Sequence, residues 1–549
     1  MKNKTIIYFL FFSIGWLSYA QDRGQFSIGF ESNSQYYLDD EKTGDFTLPE
    51  RFRSNNYLQL DYYIKKFSFG LQVESYVPMA LLNYPPAYEK TGLATYYASY
   101  KTERLEATAG YFYEQFGSGL ILRSWEDRQL GINNAIRGGL VKYNPTDYIH
   151  LTGLYGKQRE GFDVSDGEIY GFNTDLDIAE LVNQDEILFS LGLSYVGRKQ
   201  ESTVETPVFS DLTNVFSGRL DFSKGDFYIN TEYVNKGKDA VIIQNNIVNA
   251  KEGNAFLLNF GYAKKGIGID ATFRRLENMT FYSDREAAGN IYLQNIINYV
   301  PALTKQHDYL LTNIYVYQAQ PQVSFQDPTL LKAGETGGQI DVYYKIKKNT
   351  FLGGKYGLKL ALNASYWAGL KGDYDYESFD YDTDFLGFGE KYFSDYNIEI
   401  RKKWSKKWNS IFFYANQFYN KRYIEETTGT IKSNILVAEA SCKIGRGRSF
   451  RIEAQHLTTK DDKKNWAGGT FEYNFNPKFS VYVNDIYNYG NDILSDRIHY
   501  YNIGGSYVRG ANRFALNYGR QRGGLLCVGG VCRYVPESTG ITANIILNF

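Results

Sequence analysis

Six residues near the end of the chain, Cys527-Val528-Gly529-Gly530-Val531-Cys532, are the first place to look for chemistry. Paired cysteines can clip a metal, cycle as a redox couple or close a disulfide. A zinc site would need further ligands, and His150, His307, His456 and His499 are scattered without ligand spacing. A redox centre of the Cys-x-x-Cys kind has a shorter spacer than this one. Gly529-Gly530 suits the positive φ angles of a two-residue hairpin turn. Val528 and Val531 then form the hydrogen-bonded pair, and Cys527 faces Cys532 at about 4.5 Å between Cα atoms, within disulfide reach. The expectation is a Cys527–Cys532 disulfide stapling the tip of a hairpin that faces the exterior.

A second candidate is the stretch 117–139, which sets Arg123, Glu126, Asp127, Arg128 and Arg137 among apolar residues. Folded into a pore, such a cluster would narrow it and bias its selectivity. The same charges could equally be an ion-paired network that holds a plug in place with no ligand at all. His307-Asp308 lies in a second long stretch, 280–336, with no partnered Ser or Cys motif, so it reads as packing rather than catalysis. Segment 294–320 is too rich in Tyr, Leu and Ile to be disordered, and predicts a lid, plug or strand extension. No zincin, nucleophile-elbow, P-loop or dinucleotide fingerprint occurs. The aspartates around 373–384 lack the glycine and terminal glutamate of an EF-type loop. No enzyme, metal or cofactor is expected.

The elements that would position these residues are strands. Phe189, Leu191, Leu193 and Tyr195 alternate with Ser190, Gly192 and Ser194, and Phe514, Leu516 and Tyr518 alternate with Ala515, Asn517 and Gly519. One face is apolar and the other small or polar, as a pleated strand requires. Tight polar turns such as Lys65-Lys66, Ser223-Asp226 and Gly445-Arg448 alternate with long connections at 39–52, 79–92, 117–139, 199–213, 237–252, 280–336, 370–387 and 523–539. That regular asymmetry predicts an all-β transmembrane antiparallel barrel of about 24 strands (range roughly 22 to 26). Only closure lets strands cross lipid without unpaired backbone groups. The 17% aromatic content, with 50 Tyr, suits strands and membrane interfaces. A net charge of −1 offers no bulk attraction for nucleic acid.

The ends fit this reading. Residues 1–20 have the charge, apolar run and small residues of a signal peptide cleaved after Ala20, leaving 21–549 as a single barrel domain with 117–139 and 280–336 folded into the lumen. No plug-sized segment precedes the first strand at Phe26, unlike the class of TonB-dependent transporters. The terminal strand, with Ile545, Leu547 and Phe549 on one face, is similar to the C-terminal signal by which barrels are inserted. The stretches "GLILRSWEDRQLG" and "NYVPALTKQHDYLL…NIYVYQAQP", with this frame, resemble a family of Bacteroidota outer-membrane proteins of unknown function. The resemblance implies a compartment, the outer membrane of a Gram-negative bacterium, and no activity. Expected partners are outer-membrane lipids and the barrel-insertion machinery, with surface lipoproteins or other outer-membrane proteins further candidates. The function expected is a conduit, gated or plugged. The alternative is a non-transport scaffold subunit that docks partners through Tyr-rich outer loops such as Tyr374–Tyr381 and Tyr487–Tyr489.

Overall fold

The computed structural model describes residues 24–201, 210–243, 246–287, 290, 292–320, 327 and 330–549. The predicted signal peptide lies outside the described residues. Alternating apolar and small or polar side chains favour extended backbone, and ladder pairing then puts every apolar set on the same side. Twenty-four antiparallel strands pair in chain order, from Gln25–Leu38 to Ser538–Asn548. The last strand also pairs with the first, Gly29 opposite Asn548 through Leu38 opposite Thr539. The sheet thus has no free edge, and the fold is a closed all-β barrel.

The outward face is apolar. Leu193, Phe216, Leu436 and Leu516 are each more than half exposed. A band of this kind around a whole barrel is the surface that hydrocarbon, not water, solvates. Strands meet through short connections at one end, the turn rim, for example 65–66, 225–226, 446–447 and 510–511. Both described termini lie at that end. The opposite end, the loop rim, carries the long connections, above all 113–135 and 278–333.

Two expected long connections prove shorter. Most of 237–252 belongs to strands Phe227–Ile243 and Asn246–Lys264, and most of 370–387 to Leu358–Asp375 and Asp380–Lys403. Polar residues on both faces read as loop in the sequence, but ladder hydrogen bonds satisfy their backbone beyond the apolar band. The strand-like Ile314-Tyr315-Val316-Tyr317 is not a strand. It follows a 3-10 turn at Leu310–Asn313, and Tyr315 and Tyr317 are buried.

Candidate functional site in the barrel bore

The two longest loops turn inward because they carry more apolar surface than a solvated loop can leave exposed. Within 113–135 two short hairpins form, Gln115–Phe116 with Leu122–Arg123, and Glu126–Asp127 with Ile132–Asn133. Phe116, Leu120, Ile121 and Leu122 pack with Met279, Phe281, Ile297 and Val300 of the second loop. Their wall partners include Ile136, Ile169, Val196, Val215, Val234 and Leu276. These face inward, since they alternate with exposed outward neighbours such as Phe172, Phe216 and Tyr233.

The second loop then crosses the bore. Tyr309, Leu311, Tyr315, Tyr317 and Ala319 pack against Trp367, Phe393, Phe413, Ile435, Leu457 and Trp466 on the far wall. Polar pins hold these loops as well, as buried backbone demands. Gln158 Nε2 of the wall and Asn134 Nδ2 both donate to Ile296 O, at 2.7 and 3.0 Å. Arg123 N–H donates to Ile297 O at 2.8 Å, and Leu311 N–H donates to wall residue Gln455 Oε1 at 2.8 Å.

A wall carboxylate clamps the crossing segment. Glu335 and Arg274 form a fully buried ion pair at 2.6 Å. The other oxygen of Glu335 accepts Tyr317 O–H at 2.6 Å and Gln320 N–H at 2.9 Å, while Arg274 Nη2 donates to Pro301 O at 2.7 Å. A second buried pair, Arg159–Glu74 at 2.6 Å, braces the wall, with Tyr76 O–H and Gln72 Nε2 also donating to Glu74. None of these residues stands out in the sequence. Their only signal is a charge on the small or polar face of a strand.

The predicted charge cluster divides. Arg128 ties its loop to the wall, 2.6 Å from Glu31 and 3.0 Å from Glu126, with its guanidinium 4.3 Å from the Tyr57 ring centre. Burial works against its charge, but the two carboxylates prevail and hold the guanidinium above its ordinary range. Glu126 also accepts from Gln72. Arg123 stacks 3.9 Å over the Tyr299 ring, and Asp127 accepts the Gln129 and Leu130 N–H groups as a turn cap. Arg137 is not part of the cluster. It is exposed on the outward face, in phase with Val141 and Tyr143, because strand Ile136–Thr146 begins one residue before it.

The Cys527–Cys532 disulfide closes a hairpin with Gly529 at φ 57° and Gly530 at φ 82°. Val528 pairs with Val531 and Cys527 with Cys532. The hairpin does not face the exterior, as its position in a loop suggested. Val531, Cys532 and Arg533 are buried, and Val531 packs with Leu130, Ile132, Leu293 and Ile296 of both plug loops. Ala302 N–H donates to Gly530 O at 2.8 Å, and Arg533 donates to Asn83 O and Tyr292 O. Burial pushes the Arg533 guanidinium down to about 10. Nor are Tyr374 and Tyr381 displayed for docking: Tyr381 is buried, and both pack with Leu331, Ala333 and Leu370.

Cavities lined by described residues lie between this plug and the turn rim. One, about 600 Å³, is lined by Lys305, His307, Glu399, Arg401, Arg451 and Glu453. Arg451 sits among Glu439, Glu453 and Glu472 at 3.2, 2.8 and 3.5 Å. The His307 ring rests 4.5 Å from that of Phe413, and burial holds its imidazole below the ordinary range. Another, about 430 Å³, is lined by Asp61, Gln72, Tyr97, Lys101 and Glu126 among others. Both hold charges of both signs, so neither favours a simple anion or cation.

Among solved structures, the P pilus usher PapC translocation pore is similar at TM-score 0.40 and 9% identity, covering 95% of this chain and 99% of that one. The siderophore receptor PirA of Pseudomonas aeruginosa gives 0.40 and 8%, covering 97% and 81%. OccK5 (OpdH) of Pseudomonas aeruginosa gives 0.36 and 11%, covering 75% and 97%. Likeness at this level says nothing of what this chain does. Comparison with curated protein sequences finds no match. A family profile matches residues 1–549 throughout, and the chain therefore belongs to DUF6029, a family of unknown function.

Proposed function

We propose that the protein is an integral outer-membrane barrel held closed by its own loops, a plugged conduit with its loop rim outside the cell and its turn rim in the periplasm. One observation carries the reading: the segment from Met279 to Ala319 crosses the bore and buries side chains against both walls. An open porin bore is incompatible with that packing. Displacing the whole plug would expose Phe116, Ile121, Leu122, Ile297, Leu311 and Tyr317 among others. At about 1.5–3 kcal/mol for each large side chain, even these six put the cost near 10–20 kcal/mol, so thermal release is negligible. Passage in this reading comes from a partial shift of the plug or from a partner that pulls on it. The apolar exterior contacts membrane lipids, and the C-terminal segment bearing Ile545, Leu547 and Phe549 serves the insertion machinery.

Conductance of the purified protein in a planar lipid bilayer tests the proposal. The intact chain is expected to be silent, and a variant with 279–332 replaced by a short Gly/Ser linker to give steady large openings. Constitutive large openings of the intact chain would overturn it.

A further inference from the structure

Near the loop rim, three lysines lie on one side of the outward wall: Lys391 on strand Asp380–Lys403, Lys432 on Thr430–Gly445 and Lys460 just past the end of Arg448–Thr459, with strand Trp408–Asn420 between the first two. A register shift pairs Trp367 with Phe393 but Ala368 with Lys391, and this bulge leaves both Tyr392 and Phe393 buried while Lys391 reaches outward. Its Nζ stands 5.3 Å from the Tyr366 ring centre on one neighbouring strand and 4.3 Å from that of Phe418 on the other. Phe418 pairs with Lys432, and Ser433 pairs with Thr459, so Lys460 continues the row. Lys432 and Lys460 are exposed. Among the described residues, no carboxylate forms an ion pair with any of the three. Glu390 adjoins Lys391, Asp461 Oδ2 accepts the Lys432 backbone N–H, and Lys371 is already paired with Asp384.

Toward the turn rim the same wall is indented. An apolar recess of about 370 Å³ is lined by Ile398, Ile400, Phe412, Tyr414, Leu436 and Ala454. From Phe418 to Tyr414 is four residues of strand, about 14 Å at the usual rise, which a fatty acyl chain can span. A lysine over two aromatic rings at the edge of an apolar band, two more lysines beside it and a slot beneath match a lipid: anionic head above, acyl chain below.

We propose that this patch binds the phosphate-bearing headgroup of an outer-leaflet lipid, with Lys391, Lys432 and Lys460 around the phosphate and one acyl chain in the recess. Lysine serves here as a point charge for phosphate, and the inference rests on the membrane reading above.

Native mass spectrometry of the detergent-purified barrel tests it, with phosphorylated lipid A and the same lipid stripped of its phosphates as probes. The intact chain is expected to retain the phosphorylated lipid and to bind the stripped one weakly. At about fivefold per lysine, the triple variant K391Q/K432Q/K460Q should lose on the order of a hundredfold in affinity, and a K403Q/K443Q control at the turn rim none. Added inorganic phosphate should leave the lipid in place. Undiminished binding by the triple variant, equal binding of the stripped lipid, or displacement by inorganic phosphate would each overturn the proposal. Heat-modifiable gel migration reports the barrel separately: an intact chain without it fails the membrane reading itself. If only the triple variant loses it, K391Q and K432Q singly replace it, and an unchanged affinity in both overturns the proposal.

Discussion

Replacing Glu335 by leucine should loosen the plug without unfolding the barrel. The wild-type carboxylate is fully buried and accepts from Arg274, Tyr317 and Gln320 at 2.6–2.9 Å. Its loss leaves the Arg274 guanidinium buried and uncompensated, at about 3–5 kcal/mol, a penalty relieved when the crossing segment lifts and water reaches the charge. Against this stands the burial of Tyr309, Leu311, Tyr315 and Tyr317, together about 6–12 kcal/mol. The plug therefore stays seated on average, but its openings become roughly two hundred- to five thousandfold more frequent, at 1.36 kcal/mol per decade. Hydrogen exchange followed by mass spectrometry in micelles reads this directly. Amides of 309–320 should exchange faster by that factor, while those of strand Trp408–Asn420 are unchanged. The double variant E335L/R274M should recover most of the protection, because no charge is then left unpaired. Exchange in E335L within about threefold of wild type would refute the clamp.

His307 predicts a pH response. Its folded-state pKa lies below the ordinary 6.5, so neutral imidazole favours the seated loop, and stability present above 6.5 is lost as pH falls toward the folded value. Exchange of 302–309, corrected for the intrinsic pH dependence of amide exchange, should rise as pH falls from about 7.5 to about 5, and H307L should abolish the rise. Gly530→Val should lift the disulfide hairpin, since a Cβ there meets Ala302 O at 2.5 Å and Pro301 Cβ at 2.9 Å with φ at +82°. New protease cleavage within 524–535 is the readout. Gly510→Ala, at φ +61° with nothing within 4 Å, should cost only about 1–2 kcal/mol and release nothing. Removing the disulfide as C527A/C532A should cost about 2 kcal/mol by loop closure, read as a shift of the urea midpoint, and a loss above about 5 kcal/mol would point to another role.

Much of the frame was legible in the chain. Period-two alternation at stretches such as 189–195 and 514–519 is a local property of neighbouring residues, and it determines which side chains share a face. Together with the alternation of short and long connections it was enough for a barrel of about 24 strands. The pairing of Cys527 with Cys532 was legible for the same reason, because a two-residue glycine turn sets its own register. The unusual apolar content of 117–139 and 294–320 marked both as packed segments.

Only the tertiary structure decided where those segments go and what holds them. Arg137 belongs by composition to the charged loop, yet strand parity turns it outward, and parity depends on where the ladder begins. The Cys527–Cys532 hairpin lies in a loop-rim connection, yet it folds over Leu293 and Ile296, residues more than two hundred positions away. Glu335 and Arg274 are ordinary strand charges until closure brings Tyr317, Gln320 and Pro301 onto them. Alternation acts between neighbours and needs no partner to be read. Contacts across the bore join distant parts of the chain, and they exist only once the ring of strands has closed at a particular width around the loops that fill it.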